Sequence, residues 1–224
     1  IANILQPRIG RMAKGIMGLG VYFFWIQIIG IAFYQTNNLI ITQFLGPDEV
    51  TVYNIAYKYM NILTMVFMIV IAPFWSAFAE ADVSGDTAWM RNARNKLLRF
   101  VGYVCVGGVC MVAISPLFYR LWIGDVVSVP ISVTALVCAY HLANIWASLW
   151  TQILCGFGKI RLQVIMSTLC CLSYLPMAIW GCLHYGLEGL LVASAISFII
   201  FTSWFGIIQV NKLMDRTASG IWNR

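Results

Sequence analysis

Charged side chains are scarce in this sequence. Asp, Glu, Lys and Arg together make up 10% of its 224 residues, whereas apolar residues make up 61%. A water-soluble domain usually carries about 25% charged residues, so this composition excludes a soluble globular fold. The net charge of +6 does not indicate nucleic-acid binding, because the cations are spread over separate segments instead of forming one basic stripe.

The residue patterns that carry catalysis or metal binding are also missing. The seven cysteines lack the paired spacing and the flanking histidines of a metal site. No nucleophile is paired with a base, and the sequence has no glycine-rich phosphate-binding loop. None of the acidic residues lies deep in an apolar stretch, so no membrane carboxylate is present to bind protons or sodium ions. We therefore expect no enzyme activity, no metal and no cofactor.

Long apolar stretches are what the sequence has in abundance. A helix rises 1.5 Å per residue and needs about 20 residues to cross a hydrocarbon core of ~30 Å. Six stretches meet this length, at 19–43, 50–77, 98–119, 129–154, 163–183 and 187–210. The sequence thus predicts an all-α membrane protein with a bundle of six transmembrane helices over 19–210. We interpret residues 1–18 as a cytoplasmic linker or interfacial helix and residues 211–224 as a cytoplasmic tail.

The positive charges alternate from one side of these stretches to the other. Of the 14 Lys and Arg residues, 12 fall in the N-terminal flank, the second loop, the fourth loop and the tail. These are Arg8, Arg11, Lys14, Arg91, Arg94, Lys96, Arg99, Lys159, Arg161, Lys212, Arg216 and Arg224. The intervening loops hold only Arg120. Because cytoplasmic loops accumulate Lys and Arg, we expect both ends of the chain in the cytoplasm.

The remaining cation, Lys58, lies inside the second apolar stretch. It follows the start of that stretch by eight residues, or roughly 12 Å of helix, where a lysine costs at least about 2.5–3.5 kcal/mol. We therefore expect it to face a wet cavity or a partner instead of lipid. At helical spacing it shares one polar stripe with Thr51, Asn54 and Asn61.

Other polar residues are candidates for the same cavity. Gln35 and Asn38 share a face of the first stretch, and His141 and Asn144 lie one turn apart in the fourth. The alternative for the amides is hydrogen bonding between helices, and a lone membrane histidine is more often a packing residue or a hydrogen-bonding partner than a ligand. The candidate substrate-binding residues are Lys58, Asn54, Asn61, Gln35, Asn38, His141 and Asn144.

Several short segments together resemble one family of membrane transporters. They are Tyr34 to Asn38 before Leu45-Gly46-Pro47, Val50 to Tyr59 (VTVYNIAYKY), Pro73-Phe74-Trp75 before Glu80-Ala81, Gly156 to Gln163 (GFGKIRLQ), Pro176, and Gly186 to Gly189 followed by Ala193 and Ser197. In this order and spacing the chain resembles the polysaccharide flippases of the MOP exporter superfamily, which translocate O-antigen and other lipid-linked oligosaccharides and are related to MATE transporters.

The resemblance implies a fold, a substrate and partners. It implies the C-terminal lobe of a MATE-like two-lobe transporter in the bacterial inner membrane, and the missing initiator Met agrees with an N-terminal lobe upstream. Such proteins move undecaprenyl-pyrophosphate-linked oligosaccharides by alternating access, among membrane lipids and beside polysaccharide polymerase or assembly proteins. Cations in a central cavity attract the pyrophosphate, a role that would fall to Lys58.

Two other functions fit the sequence less well. A MATE-type drug exporter usually needs a membrane carboxylate, which is absent here. A non-transporting scaffold of a polysaccharide assembly complex would need no hydrated cavity. The solvent accessibility of positions 38, 54 and 58 would distinguish the scaffold from a transporter.

Overall fold

The structure is a computed structural model that describes residues 2–124 and 126–223, with side chains from residue 20 onward except Phe23. Its helices are α1 (Ala2–Phe44), α2 (Pro47–Ser84), α3 (Thr87–Ile123), α4 (Ile131–Phe157), α5 (Arg161–Phe198), a π-helical turn (Ile199–Ser203), α6 (Trp204–Met214) and a 3₁₀ turn (Gly220–Asn223). The described residues contain no β-strand. The side chains of Arg8, Arg11, Lys14 and Arg224 lie outside the described residues, as does Asp125.

Among the described residues, four helical segments are long and apolar enough to cross a membrane. They are Pro47–Ser84, Thr87–Ile123, Ile131–Phe157 and Arg161–Met214, with mean hydropathies of 2.2, 2.1, 1.3 and 2.1 in their most apolar windows. Hydrocarbon contains no water to satisfy exposed backbone groups, and a helix satisfies them within its own segment. The prediction of an all-α, multi-pass membrane protein is confirmed.

The longest of these segments reverses direction within α5, at Gly186. This residue has φ 61° and ψ −144°, a backbone conformation that essentially only glycine adopts. The backbones of Gly181 and Gly189 come into direct contact, and the Cys170 thiol lies 3.5 Å from the carbonyl oxygen of Ser197. The part of α5 before Gly186 therefore packs antiparallel against the part after it. This reversal falls at the break that the sequence predicts between 163–183 and 187–210.

Helix α4 forms the interior of the bundle. It packs against α2, α3, α5 and α6. In the most apolar part of α4, 44% of the residues are buried, compared with 22% in the most apolar parts of α2 and α3. Ile145 and Leu149 of α4 are fully buried, as are Phe67 and Ile71 of α2. Because α4 covers this face of α2, the opposite face of α2 is left exposed.

One end of the bundle holds the C-terminal segment against two loops. Arg216 pairs with Asp82 at the end of α2 at 3.2 Å, and Arg91 at the start of α3 pairs with Asp215 at 2.6 Å. The Gln209 side chain donates to the carbonyl oxygen of Lys159 at 3.2 Å. The α2–α3 turn, the α4–α5 loop and the C-terminal segment therefore lie at the same end.

Candidate functional site

Lys58 lies on the exposed face of α2 and lines a cleft between α2 and α3. Five other residues complete the lining of this cleft, which has a volume of about 450 Å³: Thr51, Asn54, Ile55, Trp122 and Ile123. We call it the Lys58 cleft. Thr51, Asn54 and Lys58 fall on one face because α2 is a regular helix from Pro47 onward, so residues three, four and seven apart align. The end of α3 supplies the apolar wall.

Within residues 2–124 and 126–223, Lys58 has no ion-pair partner. Both ion pairs among the described residues lie at the opposite end of the bundle, around Asp82 and Asp215, and neither includes Lys58. Beyond the cleft the exposed face of α2 is apolar, with Met65 58% and Ile69 74% exposed. An ammonium group on such a face requires water, an anion or another polar surface as its partner.

Two of the predicted amides bond to each other across the α1–α2 contact. The Asn54 Nδ2 group donates to Oδ1 of Asn38 at 3.0 Å, and the Tyr34 hydroxyl donates to Oδ1 of Asn54 at 3.0 Å. Asn38 in turn donates to the backbone oxygen of Tyr34 at 3.1 Å. Asn38 therefore has the alternative role considered for the amides, a hydrogen bond between helices. Asn54 bonds to α1 and also lines the Lys58 cleft.

Three other predicted residues lie apart from this cleft. Gln35 is exposed on α1, Asn61 is half-buried on α2 one turn after Lys58, and Asn144 is half-buried on α4. None of the three lines the cleft, and none has a side-chain hydrogen bond within the part of the chain that the structure describes. Of the seven predicted cavity residues, the cleft brings together Lys58 and Asn54.

His141 is buried where α4 packs against α2, outside the Lys58 cleft. Its side chain is 2% exposed, and its Nδ1 atom lies 2.8 Å from the hydroxyl of Thr64. The rings of Tyr57 and Tyr140 lie 4.7 and 5.4 Å from the imidazole, centroid to centroid. His141 therefore belongs to the α2–α4 contact and not to the Lys58 cleft.

A buried polar cluster that the sequence did not reveal joins α1, α2 and α5. The Tyr174 hydroxyl donates to Oδ1 of Asn37, whose Nδ2 group donates to the Tyr53 hydroxyl at 3.2 Å. Ser194 lies 3.3 Å from the Tyr174 hydroxyl. Helical spacing marks Asn37 and Tyr53 as polar groups in apolar stretches, but it gives no sign that α5 meets both.

The described residues offer no metal centre, since no group of three or more His, Cys, Asp or Glu among them could hold a metal ion. The polar groups that line the Lys58 cleft are one ammonium, one amide and one hydroxyl, from Lys58, Asn54 and Thr51. Such a set can attract an anion and hydrogen-bond to a polar ligand.

Comparison with known proteins agrees with this chemistry. A family model described as "Polysaccharide biosynthesis protein" matches residues 4–125, more than half of the chain. A curated protein of Yersinia pseudotuberculosis, named "Putative O-antigen export protein", is 22% identical over 202 residues, which cover 87% of this chain and 45% of that protein. The chain thus spans about half the length of this relative. No solved structure matches the chain.

These matches confirm the resemblance that the sequence motifs indicate. The family and the relative's name concern polysaccharide biosynthesis and export, which is a transport function and not an enzyme class. The chain is a multi-pass membrane protein that belongs to the polysaccharide biosynthesis protein family.

Proposed function

We propose that this chain is one lobe of a two-lobe transporter that moves an undecaprenyl-pyrophosphate-linked oligosaccharide across the bacterial inner membrane by alternating access. The family membership and the O-antigen export relative support the substrate class. The relative is about twice as long as the stretch that this chain matches, which supports a second lobe of similar size.

The observation that carries the proposal is the exposed Lys58 in its cleft, which has no ion-pair partner among the residues that the structure describes. An ammonium on an otherwise apolar face is costly in lipid, so Lys58 needs a polar partner. A pyrophosphate group is a strong acceptor for a lysine ammonium, and a charge-assisted hydrogen bond contributes about 1.5–3 kcal/mol. Thr51 and Asn54 supply further hydrogen-bonding groups beside it. A second lobe packed over this face would enclose the cleft.

The membrane topology that we propose has six spans with both ends of the lobe in the cytoplasm. The reversal at Gly186 divides the segment Arg161–Met214 into two crossings, and α1 supplies another. Arg91, Lys159 and Arg216 come together at one end of the bundle, in agreement with the accumulation of cations on the cytoplasmic side.

The test replaces Lys58 in the complete transporter that contains these residues. Complementation of a flippase-deficient strain is measured and normalised to the amount of protein in the membrane. We expect Lys58→Met to lose most transport, and Lys58→Arg to keep much of it because the cation is retained, although the two groups differ in geometry and hydration. Arg120→Met is the matched control, since it removes an exposed cation at the same end of the bundle that does not line the cleft.

Two outcomes count against the proposal. Full complementation by Lys58→Met would show that the cleft does not bind the pyrophosphate. A loss of activity that follows a loss of protein from the membrane would assign Lys58 a structural role instead.

A further inference from the structure

A groove with a volume of about 730 Å³ runs along α5 beside the reversal at Gly186. Gly181 and Gly189, whose backbones touch, line it together with bulkier side chains such as Trp180 and Val192. Because glycine has no side chain, the two glycines leave space between their larger neighbours. Small-molecule sites are commonly concave, mostly apolar cavities of about 300–1,000 Å³, and this groove has that size and that kind of lining. We call it the α5 groove.

The α5 groove begins at the membrane surface and extends into the adjacent leaflet. Residues 161–185 form about 37 Å of helix, more than the ~30 Å of the hydrocarbon core, so the reversal at Gly186 falls at the surface. From Glu188 to Ile196, which both line the groove, the part of α5 after the reversal runs about 12 Å back into the core. One leaflet supplies about 15 Å, half of the core. The groove therefore matches the depth of a single leaflet.

The mouth of the α5 groove carries aromatic rings and one carboxylate. Trp180 and Tyr185 are 58% and 67% exposed near the reversal, in keeping with the enrichment of Trp and Tyr at membrane interfaces. Glu188 is exposed and is the only charged residue in the lining. It has no ion-pair partner among the residues that the structure describes. A carboxylate at this place attracts an ammonium group and repels a headgroup with net negative charge.

We propose that the α5 groove binds a membrane phospholipid whose headgroup carries a primary amine, as phosphatidylethanolamine does, whatever substrate the transporter moves. One acyl chain lies along the apolar wall, and the ammonium group donates a charge-assisted hydrogen bond to the Glu188 carboxylate. A choline headgroup is also a cation but has no N–H group to donate. A glycerol headgroup leaves the phosphate charge uncompensated beside Glu188. A polyprenyl-linked pyrophosphate is repelled in the same way, and its chain is much longer than the groove.

The experiment measures which lipids contact the groove in the full-length transporter. The protein is reconstituted in phosphatidylcholine vesicles that contain a trace of a phospholipid with a photoreactive diazirine in its acyl chain. Three such probes are compared, with the same chains and with ethanolamine, choline or glycerol headgroups. After illumination, mass spectrometry of the peptides counts the lipid attached within residues 176–196, which include most of the groove lining.

Two variants change the groove, and each has a matched control. Glu188→Gln removes the charge at nearly constant size. Its control is Asp48→Asn, which removes an exposed carboxylate that does not line the groove and that the proposed topology places on the same side of the membrane. Val192→Trp fills the groove from its wall. Its control is Val109→Trp, which adds the same bulk to an exposed position of α3 outside the groove.

We expect the ethanolamine probe to label the groove of the wild-type protein roughly two- to fivefold more than the choline probe, the factor that an exposed ion pair contributes. The glycerol probe should label it least. Glu188→Gln should bring the ethanolamine and choline probes to equal labelling, because the apolar wall remains. Val192→Trp should lower the labelling by all three probes. Both controls should keep the wild-type pattern.

Several results would overturn the proposal. Equal labelling by the three probes in the wild-type protein would show an unselective lipid contact. A preference for choline would assign the headgroup to the aromatic rings of Trp180 and Tyr185, and a preference for ethanolamine that survives in Glu188→Gln would exclude this carboxylate as its partner. The absence of labelling in residues 176–196 would show that another part of the transporter covers the groove. Unlabelled undecaprenyl phosphate that competes better than unlabelled phosphatidylethanolamine would assign the groove to a polyprenyl lipid. None of these readouts depends on transport, so a failure of the proposed function leaves the test intact.

Discussion

The reversal of the chain at Gly186 predicts that replacing Gly189 even by alanine destabilises the protein. A Cβ atom on Gly189 would collide with the backbone carbonyl of Gly181 and would lie 2.7 Å from Cβ of Tyr185. The clash is reciprocal, since a Cβ atom on Gly181 would lie 2.6 Å from the carbonyl oxygen of Gly189. Because these contacts involve backbone on both sides, no side-chain rotation can relieve them.

The magnitude follows from two opposing effects. Overpacking a tight contact costs typically 1–3 kcal/mol, and about 2 kcal/mol is a reasonable value for a methyl group forced between two backbones. If the segment from Arg161 to Met214 were one continuous helix, Gly189→Ala would instead stabilise it by about 0.8–1.0 kcal/mol, because alanine is the better helix former. The two structures therefore predict opposite signs. At roughly 2–4 °C per kcal/mol, the reversal predicts a melting temperature lower by about 4–8 °C.

The assay is thermal unfolding of the purified full-length protein in detergent, followed with a thiol-reactive dye. Cys170 and Cys182 are 3% and 2% exposed and lie in the first half of α5, so they react when this region opens. Gly102→Ala is the control, because a Cβ atom there meets no heavy atom within 4 Å in the interior of α3. It should be neutral or slightly stabilising. A Gly189→Ala protein at least as stable as wild type would refute the reversal and with it the six-span topology.

Two further predictions concern the ends of the bundle. The first uses a variant without the native cysteines and an impermeant thiol reagent. Lys159→Cys should react only from the cytoplasmic side, and His184→Cys only from the periplasmic side. The opposite pattern would reject the proposed orientation. Arg91→Ala should lower the free energy of unfolding by at most about 1 kcal/mol, since the Arg91–Asp215 pair is 56% and 51% exposed. This loss of stability should disappear at about 1 M salt, because the Debye length there is about 3 Å. A loss that persisted in high salt would show that the arginine side chain stabilises the protein by packing.

The sequence predicted the helical class well, but the helix ends less well. The third apolar stretch, 98–119, lies inside an α3 that runs from Thr87 to Ile123. Hydropathy marks only the part of a helix that meets lipid, whereas the backbone hydrogen bonds continue into the polar region until a cap ends them. Here the Asp86 carboxylate accepts from the Trp89 backbone N–H at 2.9 Å and fixes the start of α3.

The candidate site was predicted less completely, because periodicity assigns a residue to a face of its own helix but not to a neighbouring helix. Spacing within α2 predicts a stripe of Thr51, Asn54, Lys58 and Asn61, and the first three line one cleft whereas Asn61 does not. The amide bond between Asn38 and Asn54 and the contact between His141 and Thr64 depend instead on how α1 and α4 pack on α2. No pattern within one helix contains that information.

The contacts of α2 divide this helix into an anchored end and an end that carries the candidate sites. Near its C-terminus, Asp82 is held by Arg216 of the C-terminal segment at 3.2 Å. Pro73 lies between that end and the half with Lys58 and Thr64, and it lacks the N–H group that would bond to the carbonyl four residues earlier. A helix is weakest to bending where such a bond is missing. We therefore expect a displacement of α2 by an anion at Lys58 to be concentrated in the half before Pro73, while the end held by Arg216 keeps its place.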